Sequence, residues 1–312
     1  MKPPITRRHS VRGLSLAYHC WGADDAPVVL CLHGFLDHGR SFTRVAEALS
    51  DAFRVIAVDF RGHGESEWVG AGGYYHFYDY YHDITSLLEE LDVNQACILG
   101  HSMGGSVATG IAAMHGERVS SLVLLEGMGP PTGAADEYPD RLTRWVKAQR
   151  GSRLTGDVAS RRASRRVMES LDDAAQRLRS INDRLTHDRA LELASTFTEP
   201  ASAGDGLVWR FDPLHRTPSP RPFYLPEARR FWGAIAAPVL SLWGDVSQFP
   251  VDAAQDRHAS LSSVRVAKVA GASHNIHHER WDLVAAAARQ WFSGDRQGPF
   301  VDGVYDVAPG LD

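Results

Sequence analysis

Short apolar runs recur along the chain, at Val28 to Leu32, Val55 to Phe60, Ala96 to Leu99, Leu122 to Leu125, Val239 to Trp243 and Val264 to Val269. Each has the length of a strand and reads as almost continuously hydrophobic, the pattern of a strand covered on both faces. Between them the apolar residues recur with a 3.6-residue period, over Phe42 to Leu49, Tyr80 to Leu91, Ser106 to Met114 and Asp282 to Phe292, which predicts helices packed on one face. Strand and helix in alternation predict an α/β fold with a mostly parallel sheet and helices on both sides.

The alternation breaks once. About 110 residues separate Leu125 from Val239. This stretch is first polar and Arg-rich, then Pro-rich and aromatic in WRFDPLHRTPSPRPFYLP (209 to 226). It is too long for a connection, so it predicts an inserted helical cap over the carboxyl ends of the strands, where open α/β sheets bind ligands. The expected organisation is a core of residues 1–126 and 233–312 with a cap or lid at 127–232.

Composition narrows the class. At 312 residues, with 44% hydrophobic and 23% charged, the chain can bury a substantial core. A formal charge of -5 argues against a polyanion binder, and no nucleic-acid partner is expected. The start, MKPPITRRHS, lacks the apolar stretch of a secretory signal, and no run of about 18 apolar residues predicts a membrane span, so a cytoplasmic location is expected. Cys20, Cys31 and Cys97 are an odd number and read as small buried hydrophobes. Charge is uneven: between Arg141 and Ala190 stand 13 basic and 6 acidic residues, with Arg161, Arg162, Arg165 and Arg166 in SRRASRRV at like-charge helical spacing. A solvated helix face is expected for that run.

Chemistry concentrates at GHSMGG (100 to 105), which follows a predicted strand and precedes a predicted helix. Strand, G-x-S-x-G, helix is the nucleophile elbow, a strained turn that lifts the serine hydroxyl above the sheet. Gly100 and Gly104 leave room for neighbouring chain, and the helix dipole favours negative charge where an oxyanion forms.

With CLHGFLDH, VIAVDFRGHGES, CILGHSMGG and VAGASHNIHHE in that order, the sequence resembles the α/β-hydrolase fold family from about Leu14 to Phe292. The resemblance implies a serine hydrolase in which Ser102 attacks a carbonyl and His274, after the last strand and before a helix, accepts its proton. It also implies an oxyanion hole formed by the backbone amides of Phe35 and Met103. The usual acid position in LWGDVSQFP holds Ser247, leaving two candidates: Glu126, at the end of the sixth predicted strand, and Asp245 in a reshaped turn. Glu126 is favoured, as in branches that include a group of haloalkane dehalogenases and the zearalenone lactonases.

A serine at the elbow suits acyl transfer, so the expected substrate is a small-molecule carboxylic ester or lactone, cleaved through an acyl-enzyme without a cofactor. Carbon-carbon bond hydrolysis, acyl transfer, perhydrolysis and a small-molecule receptor are the alternatives on the same fold. Trp209, Phe211, Phe223 and Tyr224 are candidate pocket residues of the cap. The run HNIHH has no acidic partner at ligand spacing, so no metal is expected, and His277 and His278 are read as solvent-facing or packing residues. His33 and His101 are read as structural or pocket-lining. The aromatic run at 74 to 83 is expected to begin a helix with its rings turned inward, and the tail after Ser293 is expected either to be mobile or to dock on a neighbour.

Overall fold

The computed structural model describes residues 3–132, 135–150, 156–202, 204–249 and 251–307. Its strands are β1 (Ile5–Val11), β2 (Leu14–Trp21), β3 (Val28–Leu32), β4 (Arg54–Val58), β5 (Ala96–His101), β6 (Val119–Leu125), β7 (Thr198–Pro200), β8 (Leu207–Trp209), β9 (Val239–Gly244), β10 (Val264–Val269) and β11 (Val304–Asp306). Among the described residues nine of them form one sheet in the order β1-β2-β4-β3-β5-β6-β9-β10-β11. The central strands, from β4 through β3, β5, β6 and β9 to β10, are parallel, while β1, β2 and β11 add antiparallel edges.

The helices are α1 (Thr43–Leu49), α2 (Phe77–Glu90), α3 (Met103–Met114), α4 (Tyr138–Gln149), α5 (Val158–Ala163), α6 (Leu171–Ile181), α7 (His187–Phe197), α8 (Leu225–Gly233), α9 (Gln255–His258), α10 (Ile276–Glu279) and α11 (Trp281–Phe292). Strand residues two apart point to one side of the sheet, which sorts the core into two layers. Leu30, Leu32, Ile56, Val58, Ile98, Leu122 and Leu124 bury against α2, α3 and Trp232 of α8. Val29, Cys31, Val55, Ala57, Leu99, Val123, Leu125, Leu240 and Leu242 bury against α1 and α11. The three cysteines are free and buried within these layers.

Between β6 and β9 the chain leaves the sheet for α4 to α8 and the β7–β8 hairpin. Asp157, Ser170 and Thr186 each accept a backbone N–H that begins α5, α6 and α7. Helices α6 and α7 close a cluster of their own around Met168, Leu185, Leu193 and Phe197. Polar contacts fasten this segment to the sheet domain: Arg44 to Glu192 at 2.8 Å, Tyr75 Oη to Asp212 at 2.8 Å, and Asn182 to Glu279 at 2.7 Å. Helix α8, inside the expected cap 127–232, packs instead on the core layer through Trp232.

Three expectations are corrected. The SRRASRRV run is not a solvated helix face: α5 ends at Ala163, and Arg161 is buried against Asp212 at 2.9 Å while Arg165 meets Glu199 at 2.6 Å. The tail docks on its own chain, where β11 pairs with β10 and Arg265 holds Asp306, Arg296 O and Gly298 O; its last residues, 308–312, lie outside the described residues. In the aromatic run only part of the rings turn inward, with Tyr75 and Tyr80 buried and Tyr78 exposed.

Candidate active site

Register brings the site together. The β5–β6 pairing sets His101 opposite Leu125, so both strands end at one level, and Ser102 N–H donates to Leu125 O at 2.9 Å. The β6–β9 pairing sets Leu125 opposite Leu242, and Glu126 N–H donates to Leu242 O at 3.0 Å. Ser102, at the end of β5, and Glu126, at the end of β6, therefore stand side by side at the carboxyl edge.

Ser102 adopts φ 50°, ψ -113°, a region that costs a side chain on the order of 1–3 kcal/mol and persists only where the surroundings enforce it. Those surroundings are glycines. A Cβ on Gly104 would overlap Leu32 O, and one on Gly105 would overlap Gly127 Cα. The sharp turn thus packs backbone on backbone, and α3 starts directly beneath the serine.

Around Ser102 the side chains form a chain of hydrogen bonds. His274 Nε2 lies 3.1 Å from Ser102 Oγ, and His274 Nδ1 lies 2.7 Å from Glu126 Oε2. With Nδ1 donating to the carboxylate, Nε2 presents its lone pair to the hydroxyl. Glu126 is only 6% exposed, and its cost of burial is offset by two further donors: Gly244 N to Oε1 at 3.0 Å and Ser247 Oγ to Oε2 at 2.9 Å. The serine at the usual acid position thus bonds the same carboxylate that meets His274. Asp245 is not brought to the histidine; it is exposed and accepts from Gly271 N at 2.8 Å.

Met103 follows the serine in the chain, and the turn that carries Phe35 approaches it through Gly34. Gly34 packs against His101 and Ser102, so that a Cβ there would come within 2.7 Å of His101 Nδ1 and 3.4 Å of Ser102 Cβ. Met103 opens α3. Neither the Phe35 nor the Met103 amide donates a hydrogen bond among the described residues. Leu36, next to Phe35, has φ 59° and gives its N–H to His63 Nε2 at 3.4 Å.

Histidines behind the site are held neutral. Burial pushes His101 and His63 well below the usual imidazole range and takes His215 and His277 down to about 3. His33 accepts from Phe60 N at 3.0 Å through Nε2 and donates to Gly34 O through Nδ1 at 2.7 Å, fixing the segment that carries Phe35.

The pocket candidates scatter. Trp209 packs into the α6–α7 cluster, Phe211 bridges to His63, Phe223 lies under Arg257 and near Trp232, and Tyr224 is half-exposed at the start of α8. The apolar ring placed against His274 is Phe249, with centroids 5.0 Å apart, beside the His101 ring at 4.9 Å. It stands two residues past Ser247, a proximity that no spacing rule announced.

His277 and His278 are buried, contrary to a solvent-facing reading, and both meet Asp37, at 3.3 and 3.2 Å. Among the described residues, Asp37, His101 and His277 form a set that could hold a metal, their donor atoms lying within 4.8 Å of one another.

Comparison with known proteins places these features. Residues 27–280 match the family model described as alpha/beta hydrolase fold. A 3-hydroxybutyrate-oligomer hydrolase of Cupriavidus necator is 30% identical over 241 residues, 73% of this chain and 76% of that protein. A serine hydrolase-like protein of Danio rerio is 34% identical over 171 residues, 54% of this chain and 51% of its own, so the match spans about half that relative's length. Among solved structures, a hypothetical protein of Pseudomonas aeruginosa PAO1 superposes with a TM-score of 0.78 at 29% identity, covering 94% of this chain and 98% of that one.

Proposed function

The chain belongs to the alpha/beta hydrolase fold family, and from that premise we propose that it is a serine hydrolase cleaving carboxylic esters or lactones through an acyl-enzyme. The observation that carries the reading is the unbroken line from Ser102 Oγ through His274 to Glu126, at 3.1 and 2.7 Å.

In this reading His274 Nε2 takes the hydroxyl proton as Ser102 Oγ attacks the carbonyl carbon. Glu126 fixes the Nδ1–H tautomer and balances the imidazolium. The tetrahedral oxyanion settles between the amides of Phe35 and Met103, each such donor contributing about 2.7–4 kcal/mol at the transition state. His274 then protonates the departing alkoxide. Water, deprotonated by the same nitrogen, attacks the acyl-enzyme and releases the acid. No step calls for a cofactor.

Substrate choice is assigned to the segment between β6 and β9, acting as a cap on the core of residues 1–126 and 233–312. Phe249 and the half-exposed Phe35 supply an apolar rim next to the reacting serine. The Cupriavidus necator relative makes short hydroxyacyl esters a natural part of the test. Wild type and Ser102→Ala are compared on p-nitrophenyl esters of rising chain length, on lactones and on 3-hydroxybutyrate oligomers. Hydrolysis by the wild type alone is the expected result; an inert wild type across the whole panel would end the proposal.

A further inference from the structure

The triad unites residues from distant parts of the chain. His274 rides on the loop before α10, and the Phe35 amide rides on the turn after β3, closed by Asp37 N–H donating to Gly34 O at 3.3 Å. Neither segment belongs to the sheet, so something must hold them in mutual register. Asp37, buried and unused by the triad, stands between them.

Its carboxylate gathers four donors. Oδ2 lies 3.3 Å from His277 Nε2, 3.2 Å from His278 Nε2 and 3.0 Å from Ser41 Oγ, while Oδ1 accepts His38 N–H at 2.8 Å. Consecutive helical residues point about 100° apart, so His277 and His278 reach one oxygen only because it sits between their two directions. His277 is further locked by stacking on Phe42 at 4.4 Å and by contact with Ser41 Oγ at 3.2 Å. From the other side His101, adjoining Ser102, has Nε2 2.9 Å from the carbonyl oxygen of His274 itself. The Arg189 guanidinium donates to His278 O at 3.0 Å and lies near the same carboxylate.

We propose that Asp37 is a positioning residue that clamps the loop bearing His274 to the turn bearing the Phe35 amide, using His277 and His278 as its two hands. The proposal rests on the serine-hydrolase reading above. A buried carboxylate is expensive to keep unless its hydrogen bonds do something an apolar residue could not. Here they fix the relative placement of base and oxyanion donor, where misplacement of about 1 Å can cost on the order of 10²-fold in rate. Because Asp37 touches neither reacting atom, its removal acts on turnover rather than on ester binding.

The test compares wild type, Asp37→Asn, His278→Asn and Ser102→Ala on one p-nitrophenyl ester, counting competent sites by fluorophosphonate titration so that misfolded molecules drop out. Asp37→Asn leaves one oxygen for four donors and sets an amide N–H against either the imidazoles or the His38 N–H. It is expected to lower kcat per titrated site about 10–100-fold with KM within about threefold. His278→Asn, which removes one hand, is expected to fall about 3–10-fold, and decides the matter if Asp37→Asn does not fold. Wild-type kcat per titrated site in the variants that fold would overturn the clamp, since a purely structural role changes only the number of sites. One zinc equivalent retained through dialysis by the wild type and lost in Asp37→Asn would overturn it too, assigning the cluster to a metal. If Ser102→Ala hydrolysed the ester like wild type, the reading beneath the clamp would fall, and the clamp with it.

Discussion

Ser102 and Glu126 share an unusual backbone: both have positive φ, 50° and 45°, although neither is glycine. Each ends a parallel strand and turns its side chain over the sheet edge, and the strain is where the proposed chemistry is. Glu126→Gln is expected to lower kcat by about 10³–10⁴-fold, because an amide cannot balance the imidazolium, whereas Asp245→Asn is expected to stay within about threefold. Steady-state kinetics on one ester decides between them, and the reverse ranking would transfer the role of acid. Ser247→Ala removes one of three hydrogen bonds to the carboxylate and is expected to cost about 0.5–1.5 kcal/mol of transition-state stabilisation, read as kcat/KM. Ser102 and His274 were legible because each sits in a local pattern, a strand, a turn and a helix. The acid was narrowed to Glu126 and Asp245, with Glu126 favoured by resemblance alone, since the choice depends on how the turn after β9 folds. Asp37 was invisible as a partner of His277 and His278, because some 240 positions separate them.

Elements position these residues through close packing. Gly104 has no space for a side chain, so Gly104→Ala is expected to distort the elbow and reduce fluorophosphonate labelling together with thermal stability; unchanged labelling would contradict the packing. The segment between β6 and β9 depends on a buried pair. Arg161 donates to Asp212, to Gly156 O and to Val69 O, and Tyr75 Oη donates to Asp212 as well. Arg161→Met leaves Asp212 buried without its cation, which typically costs about 3–5 kcal/mol, while the exposed Arg166→Ala is expected to be neutral. Denaturant unfolding measures both. Most core strands and helices could be read from apolar periodicity to within a few residues. The antiparallel strands β1, β2 and β11 could not, being short of the continuous apolar run that marks a strand covered on both faces. Nor could the burial of Arg161, because its partner Asp212 lies 51 residues away and spacing alone shows only repulsion.

At the scale of the molecule, buried neutral histidines make stability depend on pH. Burial takes His38, His215 and His277 down to about 3 and His258 to about 4. The unfolded chain binds protons at these positions below about pH 6.5, and the folded chain does not until far lower. Their contribution is therefore complete above about pH 6.5 and is lost progressively as pH falls toward the folded values of about 3 to 4. Tm is expected to drop steeply between pH 7 and pH 5, and a flat profile would contradict neutral burial. Among the described residues no helix is long and apolar enough to cross a membrane. The fold delivers a serine, an imidazole and a carboxylate to one edge of one sheet, and the whole functional account depends on that serine being a nucleophile. Fluorophosphonate labelling followed by peptide mass spectrometry tests it most directly. The account predicts one adduct, on Ser102, absent in Ser102→Ala and slowed by at least about 100-fold in His274→Ala; no adduct, or one on a different serine, would contradict it.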